Sequence, residues 1–424
     1  MTGPTPSVTA TVSLPAARQA RERLLSLTVH KAVELSRYYR EVLGTGTEVS
    51  SLADISRLPT LHKSTLVERL DDLRTFQRFP DFLMYTSGTT GRPLEVPVYR
   101  EEIEANERLI IDPMNARLAE PMPLSVTVLR VGHGSHVLTP KVPSLPCHIN
   151  YGVGQLVDLL SREHWVGGEY VKPTVLEANV LNMRYITGEL LSEGIDPARF
   201  GLAALCLSGW YLPEAERATL ARVWGAAVLD RYGVTEVNGD AKWCATCRAY
   251  HFDFTTVPEV LSVVTGDHVV NGLGRLVLTG LYPFNQAVPK LRYEIGDLVS
   301  VGPARCGTAE PAVSFVCRLR DAIWHPDDGH LVLAPTDVAE SLAHHPDVAR
   351  KPHTGFLKFA TGGTGLAPWV RIELTYPPSQ YSKRQAELRA EIETALCRRR
   401  PELLEVALDL EFCGPGELKE ATKV

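Results

Sequence analysis

No apolar run in this chain approaches the roughly 18 residues a membrane helix needs, so a helical span is not expected. Basic excess is also missing. Lys plus Arg number 44 against 50 Asp plus Glu, a formal net charge of −6 spread along the sequence, which leaves no polybasic footprint for nucleic acid or anionic lipid. The first 14 residues have neither a basic flank nor an apolar stretch, so no secretory leader is expected and a cytoplasmic location is. Cysteine is sparse, eight in 424 residues, which argues for thiols and metal ligands rather than a disulfide framework. Low complexity is absent too: 44% hydrophobic, 22% charged and 7% aromatic residues are ordinary globular proportions.

What is present is enough chain for two or three domains. Apolar residues recur at helical spacing over 16–43, which predicts one or two amphipathic helices. The spacing predicts a helix over 64–73 and a short strand over 81–85. Beyond them, β-rich runs at 125–131, 203–207 and 226–230 alternate with helical stretches at 155–161, 176–192 and 214–224. That alternation predicts crossover units on a mostly parallel sheet. Past residue 260, closely spaced strands with Gly and Pro turns predict an antiparallel or barrel-like part. From 323 onward, helices at 336–343 and 382–397 and strands near 355–359, 370–375 and 405–412 predict a small α+β unit. The expected fold class is therefore α/β. A large N-terminal domain of parallel or mixed sheets with a β-rich subdomain, residues 1–320, precedes a small mobile α+β C-terminal domain, residues 321–424.

The strand at 81–85 empties into Thr86-Ser87-Gly88-Thr89-Thr90-Gly91-Arg92-Pro93. Gly88 and Gly91 let backbone N–H groups approach phosphate oxygens, the hydroxyls of Ser87, Thr89 and Thr90 add donors, and Arg92 adds charge. The spacing is not that of a Walker A loop. Three further segments follow in order: Arg231-Tyr232-Gly233-Val234-Thr235-Glu236, Tyr293-Glu294-Ile295-Gly296-Asp297 and Arg318-Leu319-Arg320-Asp321. Leu58-Pro59-Thr60-Leu61-His62-Lys63 precedes the set, and Pro415-Gly416-Glu417-Leu418 follows it.

Together these segments resemble the adenylate-forming acyl/aryl ligase (ANL) superfamily, in its phenylacetate-CoA ligase-like branch, over nearly the whole chain. The resemblance implies that Thr86, Ser87, Gly88, Thr89, Thr90 and Gly91 wrap the β- and γ-phosphates of ATP, with Ser208 and Gly209 in the adenine loop. It implies that Tyr232, beside Gly233, stacks on adenine, that Thr235 contacts the α-phosphate and that Glu236 holds Mg²⁺. Asp297 would bind both ribose hydroxyls, which suits a carboxylate facing a vicinal diol. Arg318 would reach the nucleotide, Asp321 would be the hinge, and Lys423 would neutralise charge in the adenylation transition state.

Cys244, Cys247, His251 and Cys306 form a second constellation, whose soft thiolates and imidazole suit tetrahedral zinc. Some relatives in that branch carry a zinc site with a later Cys-x-Cys-Gly pair. Here Ala304 takes the place of that pair's first Cys, and Cys247 is the residue that would complete a Cys₃His set. Unligated thiols acting as small hydrophobes are the other reading.

The function implied is an ATP-dependent ligase of specialised metabolism. It would activate a small, aromatic carboxylic acid as acyl-AMP and pass it to CoA or another acceptor, with a homodimer as the family expectation. Two departures bear on the acceptor: Ser208-Gly209-Trp210-Tyr211-Leu212 stands in the adenine loop, and His325-Pro326-Asp327-Asp328-Gly329 follows the hinge. Carboxylates beside a polyanionic acceptor are unfavourable. An amine, a carrier-protein thiol, or nitrite in a nitrogen-activating ligase that uses no CoA therefore stands beside CoA, with a non-catalytic nucleotide-binding homologue as the third reading.

Overall fold

The computed structural model describes residues 14–75, 78–86, 94–105, 124–129, 144–308, 310–351, 355–380 and 382–422. The amphipathic stretch near the start forms two helices, Leu14–Leu35 and Arg37–Leu43, because Ser36 caps the second by accepting the Tyr39 N–H. The helix expected at 64–73 is broken into Lys63–Glu68 and Leu70–Leu73, since Arg69 leaves helical geometry. Strands β1 (Phe82–Tyr85) and β2 (Glu95–Val98) pair antiparallel, with Tyr85 opposite Glu95.

The parallel half of the molecule follows. It contains β3 (Ser125–Leu129), β4 (Ser144–His148), a hairpin of β5 (His164–Val166) and β6 (Glu169–Val171), then β7 (Val175–Asn179), β8 (Ala204–Ser208) and β9 (Ala227–Val234). The spatial order β4-β3-β7-β8-β9 is parallel throughout. Helices Gly154–Ser161, Val180–Ser192 and Glu214–Trp224 lie along the chain between these strands. Their faces bury Leu156, Leu160, Met183, Ile186 and Trp224 against Val126, Leu176, Leu205 and Leu207 of the strands. The expected helical stretch at 176–192 is thus a strand followed by a helix. Asn179 starts the helix by accepting the Asn182 N–H at 2.8 Å, and a strand buried on both faces reads as an apolar run indistinguishable from helix.

At Thr235 and Glu236 a two-residue turn folds the chain back, so β10 (Val237–Cys244) pairs antiparallel with β9. Strands β11 (Ala249–Phe252), β12 (Thr256–Leu261), β13 (Gly272–Gly280), β14 (Tyr293–Gly302) and β15 (Ala312–Arg318) continue the antiparallel pattern. The result is one 11-stranded mixed sheet, β12-β13-β14-β15-β11-β10-β9-β8-β7-β3-β4. The antiparallel part therefore begins at Val237, not near 260, and is continuous with the parallel strands rather than barrel-like. Its core includes Leu276, Leu278 and Tyr293 and takes in Tyr39, Leu61, Val96 and Val98 from the N-terminal helices and the β1–β2 hairpin.

A 3₁₀ turn at Leu319–Asp321 leads to β16 (Ile323–Trp324) and β17 (Leu331–Leu333), then β18 (Phe359–Gly363), β19 (Pro368–Glu373) and β20 (Asp409–Cys413), with helices Pro335–Leu342 and Ser382–Arg399. These elements share a core of their own, including Leu333, Leu342, Phe359, Ile372, Leu388, Ile392 and Leu410. No helix among the described residues is long and apolar enough to cross a membrane.

Side chains cross between the smaller part and the large sheet. Glu216 accepts from Arg184 at 2.6 Å and from Arg350 at 2.6 Å, and the Tyr211 hydroxyl donates to Glu340 at 2.6 Å. Trp210 meets Phe356 edge to face, with ring centroids 4.9 Å apart. Glu216→Ala would strand the largely buried Arg184 without its carboxylate. Breaking a buried pair costs about 3–5 kcal/mol, and the expected outcome is a clear fall in the midpoint of thermal unfolding, with Glu216→Gln intermediate.

Candidate active site

The β9–β10 hairpin and its neighbours β14 and β15 bring the sequence motifs to one place. Tyr232 on β9 donates its hydroxyl to Asp297 Oδ2 at 2.5 Å, and its ring packs against Tyr250, Phe252 and Phe315. Asp297 on β14 stands opposite Arg318 on β15 in the strand register, and Arg318 Nη1 lies 2.8 Å from Asp297 Oδ1. The guanidinium also donates to the Ile295 carbonyl at 3.2 Å. Asp297 is only 2% exposed, and among the described residues the Arg318 ion pair is the one partner of its Oδ1. Burial pushes the Asp297 carboxyl above its ordinary range, and Arg318 and then Tyr232 offset this in part. An under-satisfied buried acceptor beside a half-exposed guanidinium is chemically suited to hydroxyl donors.

Glu236 sits on the turn beside Thr235, and its Oε1 accepts from the Tyr293 hydroxyl at 3.2 Å. Tyr293 begins the strand that carries Asp297, which ties the two carboxylates to one rigid element. Lys63 brings its ammonium to 3.8 Å from Glu236 Oε1. The Leu58–Lys63 segment is held there by Leu61, whose N–H donates to the Arg292 carbonyl and whose carbonyl accepts from the Glu294 N–H, both at 2.9 Å. Sequence reasoning noted this segment as a motif but assigned Lys63 no role. Its signal was the Leu-Pro-x-Leu that precedes it, and only the β-bridge to Tyr293 shows what that sequence does.

Thr86 follows β1 and closes the mouth of its hairpin: its N–H donates to the Leu94 carbonyl at 3.1 Å and its Oγ1 accepts from the Leu94 N–H at 3.0 Å. Ser87, Gly88, Thr89, Thr90 and Gly91 lie outside the described residues, as does Lys423. Thr422, the last described residue, is pinned to β18: its N–H donates to Phe359 at 2.7 Å and its Oγ1 accepts from the Thr361 N–H at 3.1 Å. Ser208 ends β8, Gly209 follows with φ 86°, and Gly233 lies exposed on β9 opposite Asp240. The structure thus joins Tyr232, Asp297 and Arg318 directly and brings Glu236 to them through Tyr293. Among the described residues, no hydrogen bond joins Thr86, Thr235, Ser208 or Gly209 to that group, and the Thr86 hydroxyl goes to Leu94 instead.

The cysteine constellation also assembles. Cys244 ends β10, and the chain turns through Cys247 and Arg248, whose φ of 52° and N–H bond to the Cys244 carbonyl at 2.8 Å close the turn. His251 on β11 and Cys306 from the β14–β15 loop complete the set, with all four donor atoms within 4.8 Å of one another. Cys306 Sγ and His251 Nε2 are 3.5 Å apart, near the roughly 3.6 Å expected between a sulfur and a nitrogen ligand of tetrahedral zinc. His251 Nδ1 lies 3.1 Å from the Pro311 carbonyl, which fixes that nitrogen as the N–H and leaves Nε2 as a lone-pair donor. Burial raises the Cys247 thiol, but the Arg305 N–H, His251 and Cys306 outweigh it and hold Cys247 at about 6. The donor set therefore fits zinc.

His325, Asp328 and His330 also lie close together, with donor atoms within 4.8 Å of one another. Their two imidazoles are stacked at 12°, so the ring lone pairs run in parallel planes and do not converge on one ion. Asp328 instead ties the turn, accepting from the His330 N–H at 3.2 Å.

No family model and no curated protein matches the sequence. Solved structures do. A 2-hydroxyisobutyryl-CoA ligase in the postadenylation state with R3-HIB-AMP is 17% identical, with a TM-score of 0.72 over 98% of this chain and 92% of that one. The same ligase with 2-HIB-AMP and CoA in the thioesterification state is 19% identical, with a TM-score of 0.57 over 98% of this chain and 90% of that one. ATP-bound MatB from Rhodopseudomonas palustris is 18% identical, with a TM-score of 0.55 over 80% of this chain and 65% of that one. Side-chain identity this low over nearly the full length means that the arrangement of elements is what is shared. The chain has the fold of the adenylate-forming ligases, with a large N-terminal and a smaller C-terminal domain.

Proposed function

We propose that the chain is an AMP-forming ligase of the phenylacetate-CoA ligase-like kind, which activates a small, aromatic carboxylic acid as acyl-AMP. The observation that carries this reading is the buried Asp297, bonded to Tyr232 and paired with Arg318, with Glu236 and Lys63 beside it. Asp297 would take the ribose hydroxyls. Tyr232 would lie along adenine, with Ser208, Gly209 and Gly233 lining that edge. Thr86, Ser87, Gly88, Thr89, Thr90 and Gly91 would cradle the β- and γ-phosphates, with Thr235 at the α-phosphate and Arg318 reaching the nucleotide. Glu236 fits Mg²⁺, because it is a hard oxygen donor whose Oε2 accepts no hydrogen bond among the described residues. Bound there, the ion would neutralise phosphate charge.

In the reaction the acid's carboxylate attacks the α-phosphorus, the bond to the bridging oxygen breaks, and pyrophosphate leaves. The protein's own part is positioning and charge neutralisation. Lys63 and Lys423 are the lysines assigned to the latter. Cys244, Cys247, His251 and Cys306 would hold a structural zinc with no open position, so its chemistry would be to fix the β10–β11 turn to the β14–β15 loop.

Residue 321 marks the proposed boundary at which the smaller domain rotates before a second nucleophile displaces AMP. The acceptor is CoA in the first reading. The exposed Asp327 and Asp328 in the turn after β16 favour a second, in which a less charged acceptor such as an amine or a carrier-bound thiol takes the acyl group.

The test is ATP–pyrophosphate exchange with metal-replete protein against aryl acids, aliphatic acids, amino acids and nitrite. Exchange dependent on one acid is the expected outcome. Tight MgATP binding without exchange for any member of the panel, with or without acceptors, would overturn the reading in favour of a nucleotide-binding protein.

A further inference from the structure

Arg292 immediately precedes β14 and is buried, and its φ of 51° puts a long side chain in the left-handed region that glycine adopts at less cost. Its guanidinium is fully committed. Nε lies 3.2 and 3.1 Å from the two oxygens of Glu259, a buried carboxylate on β12, and Nη2 lies 3.1 Å from Glu259 Oε1. Nη1 donates to the carbonyls of Ser56 at 3.1 Å and Leu58 at 2.5 Å. The main chain of Arg292 is held as well: its N–H donates to Thr279 Oγ1 at 2.8 Å, and its carbonyl accepts from the Leu61 N–H at 2.9 Å.

These contacts bracket one segment. Ser56 lies in the 3₁₀ helix Leu52–Arg57, Leu58 follows it, and Leu61 bridges to Tyr293. Two residues further on, Lys63 opens the helix Lys63–Glu68 and brings its ammonium to 3.8 Å from Glu236 Oε1. Lys63 is one-third exposed, and among the described residues it has no other ion-pair partner, so its reach is set by where its backbone is held. A buried ion pair is often matched in stability by apolar residues of similar volume. What Arg292 adds is a planar fork that serves one carboxylate and two carbonyls at once, which an ammonium on a flexible stem does not do.

We propose that Arg292 is a positioning residue for the anion site at Glu236: by gripping Ser56, Leu58 and Leu61 it sets where the Lys63 ammonium stands. Arg292 touches no ligand in this role and acts through Lys63. The proposal rests on the AMP-forming reading for the identity of the anion, which is then the polyphosphate of MgATP. Inorganic triphosphate offers the same charge without the nucleoside, and adenosine offers the nucleoside without the charge. Coulomb attraction falls as the separation grows, so a segment released at Ser56 and Leu58 carries the ammonium out of effective range.

The test is a double-mutant cycle read by calorimetric binding of MgATP, magnesium triphosphate and adenosine to the wild-type chain, Arg292→Lys, Lys63→Met and the two combined. The expected result is that each single substitution weakens MgATP and triphosphate about tenfold and leaves adenosine unchanged. The combined variant should be no weaker than Lys63→Met alone, because Arg292 has nothing left to position. A merely structural role would weaken all three ligands together and add to the loss in Lys63→Met. A second readout needs no ligand. After reductive ¹³C-methylation, the Lys63 resonance, assigned by its absence from Lys63→Met, should move in Arg292→Lys and in Glu236→Gln.

A folded Arg292→Lys that binds triphosphate as the wild type does, or losses that add in the combined variant, would overturn the proposal. If Arg292→Lys does not fold, Glu259→Met/Arg292→Met, which removes both buried charges together, takes its place in the same cycle with the same two outcomes. A wild type that binds neither MgATP nor triphosphate sinks the AMP-forming reading instead. The methyl resonance then still decides for Arg292: a Lys63 signal unmoved by loss of the guanidinium shows that Arg292 does not place it.

Discussion

Replacing Asp297 with Asn is expected to lower ATP–pyrophosphate exchange by about a hundredfold, chiefly through a higher KM for ATP. A carboxylate accepts from both hydroxyls of a vicinal diol, whereas an amide offers one oxygen and turns donors toward the second hydroxyl. Hydrogen bonds to charged groups are worth about 1.5–3 kcal/mol each, so losing one and weakening the other is about 3 kcal/mol, or about 10²-fold. The variant also releases Arg318, whose ion pair with Asp297 spans 2.8 Å.

The same residue sets a pH dependence. Burial raises the Asp297 carboxyl, and in the proposed role the ionised form would bind the diol. Activity is therefore present above the raised pKa and is lost as pH falls through it, at a higher pH than an exposed aspartate would give. The acid limb of the exchange rate should disappear in Asp297→Asn. An Asn variant that keeps both the wild-type KM and the acid limb would remove Asp297 from the ribose site.

Metal loss is the second large effect. Protein purified without chelator should carry one zinc per chain, and Cys247→Ser should reduce zinc affinity by more than the roughly 10–100-fold that loss of an outer-shell partner costs. Because the four ligands come from β10, β11, the turn between them and the β14–β15 loop, removing the ion frees a loop against a hairpin in the middle of the sheet. The midpoint of thermal unfolding should fall in Cys247→Ser and with chelator, but not in Cys413→Ser, whose thiol lies in the smaller core's last strand. Cobalt substitution gives an independent readout: a thiolate-to-cobalt absorption that loses intensity in Cys247→Ser is expected. Its absence from the wild type would show four unligated side chains.

Much of the site was legible because its chemistry is local. Tyr232, Thr235 and Glu236 lie within five residues, Asp297 ends a five-residue motif, and Cys244, Cys247 and His251 lie within eight residues. What was not legible was pairing. Cys306, a candidate from its residue type, reaches the other three because β14 and β15 deliver their connecting loop to the end of β10 and β11. Lys63 reaches Glu236 because Leu61 bridges to Tyr293, more than 200 residues later. Trp210 stands in the segment read as the adenine loop, and only the fold shows its ring meeting Phe356 in the smaller part of the molecule.

The fold divides in the same way. Periodicity located the amphipathic helices, the alternation of the parallel half and the small α+β unit, because helix and strand faces impose repeats of 3.6 and 2 residues on the sequence. It misread 176–192, where a strand buried on both faces loses its alternation, and it set the start of the antiparallel strands too late. The amino-acid sequence alone determined which residue types are available to hold phosphate, ribose, magnesium and zinc, and in what order. Tertiary structure alone decided that Glu216 sits between two arginines and that one sheet carries both halves. Those facts depend on burial and on long-range pairing, and neither is a property of neighbouring residues in the chain.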